Sequence, residues 1–175
     1  GSSFEKRGGK WTPVSGPVPG KRHGLQGPID DAFMGPFVVV KPTGKPWHYA
    51  PAKLAKDRRE LLDTDFAKWL RGDPRVADDT EIPAAKAREA NLVLFGDPPS
   101  NAVLARIAGK LPVRWTKDAI RVGSKSFPSA THLLVMICPN PEAPDRYVVL
   151  NSGHSFGQPE FKGTNALLFP RLGDW

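Results

Sequence analysis

The sequence predicts an α/β fold, a Rossmann-like three-layer sandwich with a mostly parallel sheet and an extended N-terminal leader. Short apolar runs rich in β-branched residues alternate with segments of helical period, which is the pattern of an open sheet with helices on its faces. Most of these runs stop at a turn of Gly, Pro or Asn. The 175 residues suit one such domain with its own core. We therefore divide the chain into a leader over 1–28 and a single α/β domain over 29–175.

The leader is rich in Gly and Pro and has no helical or strand period, which predicts an extended, weakly structured segment. It also carries more than half of the formal net charge of +7, because residues 1–25 hold five basic side chains against one acid. The remaining charge is scattered among acids, and no RNA-binding aromatic motif, helix-turn-helix signature or zinc spacing occurs. The distribution argues against a nucleic-acid partner and favours a solvated basic linker.

The first half of the domain predicts one strand and two helices. Residues 37–40 form a continuous β-branched run, which is typical of a strand buried on both faces. Leu and aromatic residues then return at helical spacing over 51–71, where Pro51 suits the first turn and Gly72 suits the stop. A short helix is predicted over 83–90, with its Pro in the first turn.

The second half predicts three further strands, at 92–95, 133–137 and 147–150. A helix is predicted over 101–111, capped by Ser100 and ended by Pro112. Shorter extended pieces are expected near 113–115 and 120–123, and an irregular tail follows from 158.

Four of the predicted strands end in loops of similar composition. If these strands are parallel, their loops gather at one edge of the sheet, which is where open α/β sheets bind ligands. The candidate binding residues at this edge are Thr43, Asp97, Ser100, Asn101, Asn140, Asn151, Ser152 and His154. Ser100 and Asn101 also open a helix, whose free amides favour an anion. Tight turns require the same residue types, so a purely structural role stays open.

The segment Gly153-His-Ser-Phe-Gly157 matches the G-x-S-x-G nucleophile elbow of serine hydrolases. That motif needs a strand directly before the turn and a helix directly after it. Here Asn151 and Ser152 intervene, and the following residues have no helical period. No His follows Ser155 in the sequence, although the usual hydrolase order places one there. We therefore assign no catalytic residue.

The remaining motifs indicate neither a cofactor nor a metal. The four histidines lack metal-ligand spacing, and the acid pairs at 30–31 and 78–79 suit solvated helix starts. The segment 41–45 lacks the leading glycine of a P-loop. The one cysteine, Cys138, lies in an apolar run and predicts a buried, inert thiol. No run of eighteen apolar residues occurs, so we expect no membrane partner.

Several blocks, taken in order, carry a resemblance that spans nearly the whole chain: FEKRGGKWTPV, KRHGLQGPIDDAFMGPFVVVKPTG, FAKWLRGDPRVADDTEI, NLVLFGDPPSNAVLARIAGKLPVRW and RYVVLNSG. The series resembles the C-terminal region of large secreted prolyl-oligopeptidase-like α/β-hydrolase proteins of planctomycete-type bacteria. The resemblance implies that an upstream domain carries the Ser-Asp-His machinery and that 1–28 ends a preceding β-rich module. It also implies a secreted or periplasmic location. In the family pattern threonine is frequent at the place of Ser155, and Gly173 departs from a usual proline.

Together these observations predict a non-catalytic accessory domain of a secreted serine hydrolase of the esterase or peptidase type. Its expected partners are the upstream catalytic and β-rich domains of the same polypeptide, and a polymeric substrate. An alternative is a carbohydrate or small-molecule binding module that uses the strand-end loops. A pocket lined by Trp47, or by Asn140, Asn151 and His154, would favour that alternative. A third alternative is a serine hydrolase that acts through the GHSFG motif.

Overall fold

The computed structural model of the protein describes residues 3–14, 23–157 and 161–172. Ten strands are found in these ranges: β1 Ser3–Arg7, β2 Lys10–Val14, β3 Phe37–Lys41, β4 Val76–Asp78, β5 Asn91–Leu94, β6 Arg114–Trp115, β7 Ala119–Val122, β8 Lys125–Pro128, β9 Met136–Asn140 and β10 Ala143–Leu150. The two α-helices of the described residues are α1, Tyr49–Leu70, and α2, Ala102–Ile107. The strands at 37–40, 92–95 and 147–150 and the helix at 51–71 are therefore confirmed, within a few residues at each end.

The central sheet has five strands in the order β4-β3-β5-β10-β9. β3 pairs in parallel with both β4 and β5, and β10 pairs in parallel with β5. Val93 of β5 lies between Val39 of β3 and Val149 of β10. β9 closes one side of the sheet and runs antiparallel to β10.

Both faces of this sheet are buried, which is why its inner strands contain continuous apolar runs at 37–40, 92–94 and 147–150. Alternate residues of β3 point to opposite faces, so Val38 and Val40 join one core and Val39 joins the other. α2 and the small sheet β6-β7-β8 cover the first face through Val103, Leu104, Ile107, Trp115 and Ile120. α1 covers the second face together with the segment before β3, through Leu62, Phe66, Leu25, Ile29 and Ala32.

The expected Rossmann-like three-layer sandwich with a mostly parallel sheet is wrong. The sheet is mixed, because only two residues, Pro141 and Glu142, separate β9 from β10. A connection this short can join only antiparallel neighbours, whereas a parallel pair needs a crossover of a dozen residues or more. Two small antiparallel sheets, β1-β2 and β6-β7-β8, take the place of further helices.

Two predicted helices are also corrected. The segment 83–90 forms only a single 3-10 turn at Lys86–Arg88, because Ala87 and Ala90 are its only buried side chains and these small residues make no apolar stripe that anchors a longer helix. The segment 101–111 is α-helical only as far as Ile107 and continues as a 3-10 turn to Lys110. The strand expected at 133–137 begins at Met136.

The predicted extended leader contains the β1-β2 hairpin, in which Arg7 pairs with Lys10 across a turn of two glycines. Both glycines have positive φ, which two-residue hairpin turns of this class require. Residues 15–22 of the leader and 158–160 and 173–175 of the predicted irregular tail, including Gly173, lie outside the described residues.

The connections that leave β3 and β5 go to opposite faces of the sheet. α1 follows β3 and packs on one face, whereas α2 follows β5 and packs on the other. The two neighbouring strands therefore form a topological switch point, and a crevice between their carboxyl ends is the expected ligand position in an open sheet.

Candidate functional site

A cleft of about 270 Å³ lies at this switch point. Residues at and just after the carboxyl ends of β3 and β5 form its walls, together with residues of α1. The cations among its lining residues are Lys41, Lys56 and Arg59, and the others are Pro42, Gly44, Pro46, Ala52, Ala55, Phe95, Gly96 and Ser100. The volume is near the lower end of the range for small-molecule pockets in proteins. The cleft therefore has room for a small ligand.

Two glycines allow the loops after β3 and β5 to pack closely enough to form the cleft. The Gly44 amide donates to the Ser100 carbonyl at 2.9 Å. A Cβ added at Gly44 would lie 2.5 Å from the carbonyl oxygen of Pro99. Gly96 has a φ of +101°, and an added Cβ would overlap the Ser100 hydroxyl. Both positions therefore require glycine for the two loops to meet as they do.

Each cation of the cleft also forms an ion pair with an acidic side chain that does not line the cleft. Lys41 Nζ lies 2.9 Å from an Asp78 oxygen, and Arg59 Nη1 lies 2.7 Å from an Asp63 oxygen. The third pair, between Lys56 and Glu60, is looser at 3.7 Å. None of these acids is a lining residue, so among the residues described the charged groups that line the cleft are all positive.

Ser100 and Asp97, two of the predicted binding residues, form a closed turn after β5. The Asp97 amide donates to Ser100 Oγ at 2.8 Å, and that hydroxyl donates to the Asp97 carbonyl at 3.0 Å. The Asp97 carboxylate accepts from the amides of Ser100 and Trp47, at 3.2 and 2.8 Å. Ser100 lines the cleft, whereas Asp97 instead faces a cavity of about 10 Å³.

Asn101 and Asn151 are fully buried and bind backbone groups of the strand ends. The Asn101 side chain caps α2 by accepting from Val103 and Leu104, and it donates to the Phe95 carbonyl at 3.0 Å. The Asn151 amide oxygen accepts from the Gly96 amide at 2.7 Å, and its nitrogen donates to the carbonyls of Gly96 and Leu134. All the side-chain polar atoms of these residues thus have protein partners, and a structural role follows.

We call Asp97, Ser100, Asn101 and Asn151 the strand-end network. The other four predicted residues lie elsewhere. Thr43 is exposed and is not among the residues that line the cleft. Because β9 is antiparallel to β10, Asn140 lies beside Ala143 at the start of β10, at the opposite end of the strands from the cleft. Its side chain donates to the Ala87 carbonyl. Ser152 is buried and donates to the carbonyl of Gly153.

His154 lines a separate cavity of about 70 Å³, together with Ser152, Arg58 and Asp65. Its ring stacks on Phe156 with centroids 4.3 Å apart. Burial lowers the pKa of His154, and the carboxylates of Asp30 and Asp65 oppose that shift. Neither ring nitrogen has a hydrogen-bond partner in the part of the chain that the structure describes.

The GHSFG loop holds Ser155 in a buried position against the segment before β3. Its amide donates to Asp30 Oδ1 at 2.7 Å, and its hydroxyl donates to the other oxygen of the same carboxylate. The hydroxyl also accepts from the amides of Arg171 and Leu172, at 2.9 and 3.0 Å. A serine hydroxyl has one donor and two acceptor positions, so its hydrogen-bonding capacity is fully used.

Two parts of this arrangement were missed in the sequence. Asp30 was interpreted as a solvated helix start, but it is 7% exposed and binds Ser155. Its neighbour Asp31 accepts a hydrogen bond from the hydroxyl of Tyr147. The cations of α1 were missed as well, although Ala52, Ala55, Lys56 and Arg59 recur at helical spacing and share one face.

Trp47 and Trp115 do not line a sugar-sized cavity in the described part of the chain. Trp47 and Trp115 face the cavity of about 10 Å³, which holds no more than one water molecule. Among the helices in the described ranges, none has both the length and the apolarity to cross a bilayer. Within the same ranges, no group of three or more His, Cys, Asp or Glu side chains has the arrangement of a metal site.

Comparison with protein-family models, with curated proteins and with solved structures finds no match for this chain.

Proposed function

We propose that this chain is a non-catalytic accessory domain of a secreted serine hydrolase, the class of protein that its ordered sequence blocks resemble. The observation that carries the proposal is the state of Ser155. Its side chain is buried, with the residue 4% exposed, and its hydroxyl is engaged by Asp30 and by two backbone amides. A nucleophilic serine needs an oxygen that is open to substrate and bonded to a general base.

The neighbouring histidine does not supply that base. The Ser155 hydroxyl donates to a carboxylate, and the two amides occupy the lone pairs that would attack a carbonyl carbon. His154 therefore accepts no hydrogen bond from the Ser155 hydroxyl, whose proton is directed to Asp30. The GHSFG motif is thus interpreted as a structural loop that ties the residues after it to the segment before β3.

The experiment compares hydrolysis of p-nitrophenyl acetate and of a peptide anilide by this chain and by its Ser155→Ala variant. Ser152→Ala, in the same loop, is the control. We expect no turnover above buffer by any of the three. Turnover by the chain that falls more than about a hundredfold in Ser155→Ala alone, with that variant still folded by circular dichroism, would overturn the proposal, because loss of a nucleophile has an effect of this size.

The accessory role is tested in the longer protein that the resemblance implies. Deleting 29–175 is expected to leave small-ester turnover by the upstream domain largely intact and to lower its stability or its activity on a polymeric substrate. Loss of all ester turnover in a truncated protein that is still folded would contradict the accessory role.

A second function, binding of a small molecule, is favoured by the cleft between β3 and β5. The cleft lies at the switch point, where open sheets bind their ligands, and two glycines hold its loops together. On this proposal the strand-end network supports the cleft walls, and Ser100 is the member of it that also lines the cleft.

A further inference from the structure

We infer that the cleft between β3 and β5 binds a small organic anion, whose carboxylate or phosphate group contacts Lys41, Lys56 and Arg59. The inference rests on the small-molecule function proposed above and adds the chemical class of the ligand. Its basis is the juxtaposition of cations from two different elements, β3 and α1, around one cleft.

The charge of the lining residues selects an anion. Lys41 approaches from the end of β3, and Lys56 and Arg59 approach from one face of α1. In the described part of the chain no acid is among the lining residues. The whole chain has a net charge of +7, which also favours encounter with anions. A neutral or cationic ligand would find no acidic partner among the lining residues that the structure describes.

The existing ion pairs do not prevent this binding. Lys56 has a side chain that is 69% exposed, and its pair with Glu60 spans 3.7 Å. The pair between Lys41 and Asp78 is also exposed, at 42% and 43%. Exposed pairs of this kind contribute only about 0–1 kcal/mol. A ligand anion therefore competes with Glu60 and Asp78 at small cost, whereas the less exposed Arg59 stays fixed by Asp63.

The remaining walls select a ligand with an apolar body. Of the apolar lining residues, Pro42 and Pro46 are exposed and Ala52 is half-buried, whereas Ala55 and Phe95 are almost fully buried. The first three offer apolar surface to a ligand and carry no side-chain hydrogen-bonding group. An aromatic or branched aliphatic group of small size suits this surface and the volume of about 270 Å³. The ligand class is thus an organic carboxylate or phosphate monoester rather than a bare inorganic ion.

The test is a set of amide NMR titrations of this chain with phenyl phosphate, benzoate, inorganic phosphate and benzyl alcohol. We expect phenyl phosphate or benzoate to shift the amides of 41–46, 52–59 and 95–100 in a saturable manner. Which of the two binds more tightly distinguishes a phosphate from a carboxylate ligand. Benzyl alcohol and inorganic phosphate are expected to bind at least about tenfold more weakly, since benzyl alcohol lacks the anionic group and inorganic phosphate lacks the apolar body.

Lys56→Gln is the diagnostic variant, and Lys53→Gln is its matched control. Both lysines are exposed residues of α1 with an acid four positions on, but only Lys56 lines the cleft. Lys56→Gln is expected to weaken binding about threefold to tenfold, and Lys53→Gln to leave it unchanged.

Three results would overturn the inference. Equal binding of benzyl alcohol would show a ligand site without anion selectivity, which leaves the small-molecule function standing. Equal losses in the two lysine variants would show only a general charge effect. The absence of saturable shifts at the cleft with any probe would remove the small-molecule function as well, without bearing on the hydrolysis test of the accessory role.

Discussion

Replacing Ser155 with alanine removes a buried hydroxyl that joins three parts of the chain. The hydroxyl donates to Asp30, which lies 125 positions earlier, and accepts from the amides of Arg171 and Leu172. A hydrogen bond to a charged group contributes about 1.5–3 kcal/mol, and each of the two hydrogen bonds from backbone amides contributes about 0.5–1 kcal/mol. We therefore expect Ser155→Ala to lower the free energy of unfolding by about 2.5–5 kcal/mol.

The assay is urea denaturation followed by circular dichroism, with Ser152→Ala as the matched control. Ser152 is equally buried and lies in the same loop, but its hydroxyl donates only to the adjacent Gly153 carbonyl. The control is expected to lose less than about 1 kcal/mol. Equal losses in the two variants, or a Ser155→Ala variant within about 0.5 kcal/mol of the parent, would refute the reasoning, because the hydroxyl would then hold no tertiary contact.

Three further predictions concern other parts of the fold. Gly96→Ala is expected to cost about 2 kcal/mol or more in urea denaturation, since its φ is +101° and its Cβ would overlap Ser100; Gly109→Ala, where nothing lies within 4 Å, is expected to be nearly neutral. Burial raises the pKa of Cys138 to about 12, so Ellman's reagent is expected to react at pH 8 only after unfolding, and rapid reaction of the folded chain would contradict this. Burial lowers the pKa of His154 below 6.5, so the unfolded chain binds more protons just below that pH. The free energy of unfolding is therefore expected to fall as the pH drops through this window, and His154→Phe is expected to remove most of that slope in urea titrations at several pH values.

Local patterns in the sequence were sufficient to predict the positions of the inner strands and of α1. The run at 37–40 is apolar throughout because both faces of β3 are buried, and the apolar residues of 51–71 recur at helical spacing. The direction of β9 was not predicted, because Pro139 was taken as the end of a strand. β9 is the outermost strand of the sheet, where a proline costs no central hydrogen bond.

The position of the candidate site was predictable, but the residues that line it were only partly so. Asp97 and Asn151 do lie at the carboxyl ends of parallel strands, as expected from the sequence. Their side chains nevertheless bind backbone groups, including the amides of Trp47 and Gly96. Partners so far apart in the chain cannot be identified from local composition, and neither can the contact of Ser155 with a carboxylate before β3.

In the proposed anion site two of the three cations, Lys56 and Arg59, come from a helix rather than from the strand-end loops. Lys56 and Arg59 line the cleft beside the ends of β3 and β5 because α1 packs on the sheet next to the switch point. In an open sheet the helix that follows one strand thus supplies side chains to the crevice beside that strand. Candidate ligand residues in such a fold therefore include those in the first turns of the helix that follows a strand at the switch point.

The central claim, that the GHSFG serine is structural, is tested most directly by covalent labelling. The folded chain is incubated with a fluorophosphonate, which reacts with activated serine nucleophiles, and the adducts are located by peptide mass spectrometry. The account predicts no adduct on Ser155, because its hydroxyl is buried and bonded to Asp30 and two amides. A near-stoichiometric adduct on Ser155 in the folded chain would contradict it.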